Sequence, residues 1–122
     1  MKFKIKNFQI TKKPWGQEIL VEKTSKYAFK EIWMKKGTRC SLQSHRKKME
    51  TIFVVSGEIE LETVNVKGKS TFEKFKKNQA YTIPPRQIHR VKVLKNCRLF
   101  EVSTPELQDV IRHQDDYNRA SQ

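Results

Sequence analysis

The chain has few of the residues that interrupt, cross-link or anchor a backbone. Four glycines, four prolines and two cysteines occur among 122 residues. The cysteines, Cys40 and Cys97, form no Cys-x-x-Cys pair, which argues against a zinc ribbon, and two cysteines are too few for a disulfide-rich scaffold. We expect both to be reduced, buried thiols of a cytoplasmic protein, although the sequence leaves a disulfide between them open.

Long apolar runs are missing as well. No segment approaches the roughly 20 apolar residues of a membrane-spanning helix. The first six residues alternate between apolar residues and lysines, so they lack the apolar core of a signal peptide. We therefore expect no membrane partner.

Acidic residues are also scarce. There are 13 aspartates and glutamates against 26 lysines and arginines, a formal net charge of +13. The scatter of lysines over the whole chain favours a solvated surface, and the alternative is an anionic partner, either a phosphorylated small molecule or a nucleic acid. Because no zinc finger, RNA-recognition signature or aromatic-basic repeat is present, any nucleic-acid binding is expected to be non-specific.

What the sequence does contain is a series of short β-patterned segments separated by turn signals. Only residues 105–119 carry a helical pattern, with Leu107, Val110 and Ile111 on the apolar side. This predicts one all-β domain over residues 1–122, a sandwich or barrel with a short C-terminal helical segment. The expected strands cover residues 3–5, 18–22, 27–35, 39–45, 51–56, 58–66, 80–83, 89–94 and 98–103.

Two separated segments carry the residues with metal-binding chemistry. Residues 37–57 contain Gln43, His45 and Glu50, and His89 follows a rigid Pro-Pro turn. Two imidazoles, one carboxylate and one amide oxygen suit a divalent metal ion of the Mn, Fe, Co, Ni or Zn type. Either histidine alone could be an ordinary surface or hydrogen-bonded side chain, but the joint spacing favours one metal site.

Strand parity adds neighbours to this site. Alternate residues of a strand share a face, so Arg39 and Ser41 point the same way as Gln43 and His45. Such a polar stripe is a poor core face, which indicates that it lines a cavity.

The same positions resemble the cupin superfamily. Residues 37–57 match the spacing Gly-x5-His-x-His-x4-Glu-x6-Gly, with Gln43 in place of the first histidine. Residues 78–89 match Gly-x5-Pro-x-Gly-x2-His, with Asn78 and Arg86 at the two glycine positions. A narrower resemblance is to the type II phosphomannose isomerase domain, often fused to a mannose-1-phosphate guanylyltransferase. It is carried by residues 13–18, 41–45, 54–57, 83–84, 89–90, 100–102, 109–112 and 115–119, and so spans nearly the whole chain.

The resemblance implies a double-stranded β-helix, the cupin jelly-roll barrel. It also implies one divalent metal ion held by Gln43, His45, Glu50 and His89, and isomerisation of a phosphorylated sugar, with mannose 6-phosphate and fructose 6-phosphate as the leading pair. Cupins commonly form homodimers through sheet edges or exchanged N-terminal strands, and the expected strand over residues 3–5 offers such an edge.

Aldose–ketose isomerisation moves a proton between two carbons through an enediolate, which requires a base within reach. Glu50, Lys48 and Glu101 are the candidates, and the sequence does not choose among them. The family usually has an arginine where this chain has Lys48. Substrate-binding candidates are Arg39, Ser41, Arg86, Arg90 and Arg112.

Two other kinds of metal-binding cupin remain open. One is a non-catalytic sugar- or metabolite-binding protein, which the departures at Lys48 and Arg86 keep in view. The other is an oxygenase-type enzyme, although those usually use histidine and carboxylate ligands rather than an amide.

Overall fold

The computed structural model describes residues 7–119, and no helix occurs within that range. The strand expected over residues 3–5 lies outside the described residues. Residues 7–119 accordingly include no helix of the length and apolar character needed to cross a bilayer. The described part of the chain contains nine strands, which are β1 (Gln9–Lys13), β2 (Gly16–Lys23), β3 (Ala28–Met34), β4 (Leu42–Ser44), β5 (Glu50–Val64), β6 (Ser70–Lys76), β7 (Ala80–Ile83), β8 (Ile88–Ser103) and β9 (Ile111–Gln114).

Two long antiparallel strands, β5 and β8, organise the fold because each belongs to both layers. The first half of β5 and the second half of β8 form one layer with β1, β2, β3 and β7. Their other halves form the second layer with β4, β6 and β9. Packing of the inner faces encloses a core that includes Val54, Ile59, Val93 and Leu99. This all-antiparallel, two-layered sheet confirms the cupin jelly-roll prediction.

Both long strands continue through a bend near Gly57. The expected strands 51–56 and 58–66 are therefore parts of β5, and those at 89–94 and 98–103 are parts of β8. Pairing of β5 with β8 shifts register between Val54 and Ile59, where Gly57 has φ +87°. A β-carbon at Gly57 would lie 2.6 Å from the Cα and Cβ of Cys97, so the two strands approach too closely for a larger residue. The strand continues through the bulge instead of ending at the glycine.

The predicted C-terminal helix is wrong. Residues 105–110 form turns, and β9 pairs with β4, with Ser44 opposite Ile111 and Gln43 opposite Arg112. Apolar residues at Leu107 and Val110 fit a helical spacing, but here both line a cavity. The backbone groups of β4 need hydrogen-bond partners, and pairing with β9 supplies them where a helix could not.

The second motif has glycine at two positions, and this chain adopts a left-handed backbone at both of them without glycine. Asn78 and Arg86 occupy those two positions with φ values of 69° and 70°. A left-handed backbone costs a residue with a side chain about 1–2 kcal/mol. The Arg86 N–H donates a hydrogen bond of 2.6 Å to the carbonyl oxygen of His45, which ties the two motif segments together.

Candidate metal centre and its cavity

A cavity of about 470 Å³ opens between the two layers and is lined from both of them and from the C-terminal segment. Cationic residues in its wall outnumber carboxylates two to one, so the cavity favours an anionic ligand. The cations are Lys13, Lys23, Lys30, Lys48, Arg112 and Arg119, and the carboxylates are Glu18, Glu50 and Glu101.

Three of the four predicted metal ligands lie together in the wall of this cavity. One ligand atom from each of His45, Glu50 and His89 lies within 4.8 Å of the others, and all three residues are buried. The Oε1 atom of Glu50 is 3.2 Å from His89 Nε2 and 3.7 Å from His45 Nε2. His45 leaves β4, Glu50 begins β5 and His89 lies near the start of β8, so three strand ends converge there.

The hydrogen bonds of the two imidazoles suit a cation. His45 Nδ1 is 2.6 Å from the carbonyl oxygen of Asp109, and His89 Nδ1 is 2.9 Å from that of Gln87. A carbonyl oxygen can only accept, so both Nδ1 atoms carry the proton and a neutral ring turns its Nε2 lone pair towards Glu50. Buried His45 Nε2 has no hydrogen-bond partner among the described residues. A divalent cation would satisfy both lone pairs and the carboxylate, so the residues fit such an ion.

Electrostatics around Glu50 agree with this arrangement. Burial alone would raise the pKa of Glu50, but the two imidazoles and Lys48 outweigh it and hold that pKa well below its usual range. Burial opposes a charged imidazole, yet the Glu50 carboxylate raises the pKa of His45. The carboxylate is therefore ionised and able to act as a ligand.

The predicted amide ligand lies in the same cavity wall. Gln43 is directly opposite His89 in the pairing of β4 with β8. The Ser41 hydroxyl donates a hydrogen bond of 2.6 Å to Gln43 Oε1, and Ser41 is buried. Ser41 therefore orients the Gln43 amide, and Ser41 itself, predicted to bind substrate, is not among the residues that line the cavity.

A buried ammonium–carboxylate pair adjoins the centre. Lys48 Nζ lies 3.1 Å from Glu50 Oε2 and 3.2 Å from Glu101 Oε2. Burial would lower the pKa of Lys48, but the two carboxylates outweigh it and raise that pKa, so Lys48 stays cationic. Burial and the charge of Glu50 raise the pKa of Glu101 to about 7, despite the opposing effect of Lys48. All three predicted proton-transfer candidates thus lie together.

Two further charged residues, Lys30 and Glu18, also line the cavity. The sequence analysis gave neither of them a role. Lys30 is the cross-strand partner of Glu101, and its ammonium lies 3.0 Å from Glu18. The signal was present in β3, where Lys30 has the same parity as the buried residues Ala28 and Ile32. A lysine on an inward-facing strand position indicates a charged cavity rather than a core.

Of the four arginines predicted to bind substrate, only one lines the cavity. Arg112 lines the cavity. Arg39 forms an exposed ion pair with Asp116, with a shortest distance of 2.7 Å, and Arg86 is exposed in its turn. Buried Arg90 donates hydrogen bonds to the carbonyl oxygens of Cys40 and Gln114. Arg39 and Arg90 therefore hold the C-terminal segment, and neither lines the cavity.

Asp109 connects that segment to the metal centre, and the sequence reasoning gave it no role. Its carboxylate accepts hydrogen bonds from the backbone N–H groups of Arg46, Lys47 and Lys48, at 2.7 to 3.0 Å. Its carbonyl accepts from His45. The loop between two metal-ligand positions is thus clamped by one residue distant in sequence.

Comparisons with known proteins agree with this fold. Structures of oxalate decarboxylase from Bacillus subtilis, one of a variant and one at pH 4.6, each superimpose with a TM-score of 0.78 and 16% identity over 88% of this chain. A third, from a study of the Mn(II) centres of that enzyme, gives 0.75 and 14% over 88%. The chain spans 30% of the length of each, and at these identities the likeness shows the fold alone.

Sequence comparison identifies the family. A search of curated protein sequences found no match. The family model described as mannose-6-phosphate isomerase C-terminal matches residues 2–116, almost the whole chain. Together with the jelly-roll fold and the convergence of His45, Glu50 and His89, this match identifies the chain as a member of the mannose-6-phosphate isomerase C-terminal family of the cupin superfamily.

Proposed function

We propose that this chain is a metal-dependent aldose–ketose isomerase acting on a phosphorylated sugar, with mannose 6-phosphate and fructose 6-phosphate as the leading substrate pair. One observation carries the proposal. A buried His-Glu-His group and a lysine–glutamate pair adjoin each other in the wall of a cationic cavity. The family match supports the same reaction class.

His45, Glu50 and His89 would hold the metal ion, with Gln43 as a fourth ligand, and Zn, Mn, Co, Ni and Fe all suit these donors. When bound, the ion would supply Lewis-acid stabilisation for the negative charge that develops on the two sugar oxygens. Gln43 would be held for this role by its hydrogen bond from Ser41.

Glu101 is the proposed base for proton transfer between the two sugar carbons. Glu50 is engaged by both imidazoles, and Lys48 is held in its cationic form by two carboxylates. Glu101 lines the cavity and has one of its oxygens 3.2 Å from that ammonium. Lys48 would then keep Glu101 oriented and add positive charge beside the developing enediolate.

The phosphate would be bound by cations of the cavity wall, with Arg112 as the substrate-binding residue retained from the sequence prediction. Arg112 lies opposite Gln43 in the pairing of β4 with β9, which places its backbone next to the metal centre. A guanidinium can contact two phosphate oxygens at once.

A coupled assay tests the proposal. The protein is stripped of metal, reloaded separately with Mn, Co, Ni and Zn, and assayed for conversion of mannose 6-phosphate to fructose 6-phosphate. We expect metal-dependent turnover that is lost in His89→Ala and falls at least about 100-fold in Glu101→Gln, since a positioned base typically contributes 10²–10⁴-fold. Glu73→Gln, an exposed substitution on β6, is the matched control and should retain full activity.

Two results would contradict the proposal in different ways. Stoichiometric metal binding with no turnover for any metal would favour a non-catalytic or differently reacting cupin. Full activity in Glu101→Gln would keep the isomerase and remove Glu101 as its base.

A further inference from the structure

One ion pair in the cavity wall has no part in the reaction proposed above. Lys30 of β3 and Glu18 of β2 both line the cavity, and Lys30 Nζ donates a hydrogen bond of 3.0 Å to Glu18 Oε2. Only 14% of the Lys30 side chain and 19% of the Glu18 side chain are exposed. The other inward positions of β3 are buried and apolar, at Ala28, Ile32 and Met34.

Stabilisation of the fold does not account for this pair. Replacing a buried ion pair with apolar residues of similar volume is often neutral or stabilising, because both charges lose solvation when they are buried. The residue directly opposite Lys30 on β2 is Leu20, which lines the same cavity, so an apolar side chain fits this wall. A charged pair held at this place therefore points to a ligand.

The pair keeps hydrogen-bonding capacity for such a ligand. A lysine ammonium has three N–H donors, and a carboxylate has two acceptor oxygens. Within residues 7–119, Lys30 uses one donor and Glu18 uses one oxygen, both in their mutual hydrogen bond. Because both side chains line the cavity, donors and an acceptor lie side by side for a bound molecule.

The position of the pair relates it to the proposed base. Lys30 is directly opposite Glu101 in the pairing of β3 with β8, and neighbouring strands lie about 4.8 Å apart. This spacing is the length of a few carbon–carbon bonds. A sugar with its reacting carbons at Glu101 would therefore present its next hydroxyl groups to Lys30, with Glu18 one strand further away.

The chemistry of the pair suits hydroxyl groups better than a phosphate. A hydroxyl can accept a hydrogen bond from the ammonium and donate one to the carboxylate, whereas Glu18 would repel a phosphate. Arg112, the proposed phosphate ligand, belongs to the opposite layer. Packed layers lie about 10 Å apart, so a sugar phosphate between them can reach both Arg112 and the pair.

We propose that Lys30 and Glu18 bind the C3 and C4 hydroxyl groups of the sugar and so determine which open-chain sugars the site accepts. This inference rests on the proposed isomerase function and adds two substrate-binding residues to it. A ligand that lacks these hydroxyls would displace water from the two charged groups without replacing its hydrogen bonds, which is the physical basis for rejecting it.

Calorimetry with a ligand that cannot react tests this assignment. The probe is the open-chain polyol phosphate formed by reduction of mannose 6-phosphate, which has no carbonyl group, and the comparison compound is its 3,4-dideoxy analogue. Each is titrated into the zinc-loaded protein. We expect the wild type to bind the polyol phosphate at least about 10-fold more tightly than the analogue, since hydrogen bonds to charged groups are lost.

The variant Lys30→Met/Glu18→Leu removes both charges at similar volume, and its ratio of the two affinities should approach one. The matched control is Glu31→Leu/Arg98→Met, which removes an ion pair from the outer face of the same layer and should keep the wild-type ratio. Far-UV circular dichroism and zinc affinity of both variants should match those of the wild type.

The ratio of affinities separates recognition of hydroxyls from a structural role. A pair that only supported the fold would, when removed, weaken binding of both compounds by the same factor and leave the ratio unchanged. That result, or a wild type that does not discriminate between the two compounds, would overturn the inference, and the wild-type measurement needs no variant. Turnover of mannose 6-phosphate is measured separately. Discrimination without turnover would remove the isomerase and keep the hydroxyl site, whereas turnover with an unchanged ratio in the double variant would do the reverse.

Discussion

Asp109 is expected to stabilise both the fold and the metal centre by clamping the loop from Arg46 to Lys48. Three backbone N–H groups donate to its carboxylate. Hydrogen bonds to a charged group contribute about 1.5–3 kcal/mol each when well shielded. Because Asp109 is partly exposed, we expect Asp109→Ala to lower the free energy of unfolding by about 3 kcal/mol and Asp109→Asn, which keeps one acceptor oxygen, by about 1–2 kcal/mol.

The pH dependence gives a second estimate of the same interaction. Partial burial would raise the pKa of Asp109, but the three N–H donors outweigh it and lower the pKa from 3.8 to about 2. A lowered folded-state pKa stabilises the protein above the unfolded value, and this contribution is lost as pH falls from about 4 towards 2. The shift corresponds to at most about 2 kcal/mol, so Asp109→Asn should flatten the acid side of the stability profile.

Urea unfolding of the metal-free protein, measured between pH 7 and pH 3, is the assay. The matched control is Asp116→Asn, which lies in the same segment but removes only an exposed ion pair with Arg39 and should change the free energy of unfolding little. Metal affinity measured by competition with a chelator should also fall in Asp109→Ala, because the clamped loop joins His45 to Glu50. Equal stability of the Asp109→Ala and Asp116→Asn variants would refute this reasoning.

Three further predictions concern the bend, the buried charges and the metal. Gly57→Ala should lower the free energy of unfolding by more than about 3 kcal/mol, because the new β-carbon would overlap Cys97 and the residue would keep a left-handed backbone. The control Gly68→Ala meets no atom within 4 Å, so it should lose only the about 1–2 kcal/mol that a left-handed backbone costs. Equal unfolding free energies for the two variants would contradict this. Lys48→Met leaves two buried carboxylates without their ammonium and should cost about 3–5 kcal/mol in urea unfolding. Divalent metal at 100 times its dissociation constant should stabilise the wild type by about 3 kcal/mol in thermal unfolding, and this gain should disappear in His89→Ala.

Local pattern was sufficient to predict most of the strands and the candidate ligand set. Alternation of polar and apolar residues located β2, β3 and β7 to within a few residues. The fixed spacing around His45 and Glu50 identified the first ligand segment because only a short loop separates the end of β4 from the start of β5. Strand β6 was missed because its inward and outward positions are nearly all exposed, so its sequence carries little alternation.

Pairing between distant segments decided what the sequence left open. Residues 105–119 have an apolar spacing compatible with a helix, and only the unpaired edge of β4 made residues 111–114 a strand. The predicted role of Arg39 rested on strand parity, which cannot reveal that Asp116 would lie beside it.

The resemblance of the two motifs implied the jelly roll. By itself, the sequence determined an all-β domain, the spacing of Gln43, His45, Glu50 and His89, and the excess of positive charge. These are properties of local periodicity and composition. The tertiary structure alone decided that the backbone carbonyls of Asp109 and Gln87 accept from the two imidazoles and that Lys48 joins two buried carboxylates. It also decided which charged residues pair in the cavity wall, because contacts between residues far apart in the chain depend on which strands pair and not on their local pattern.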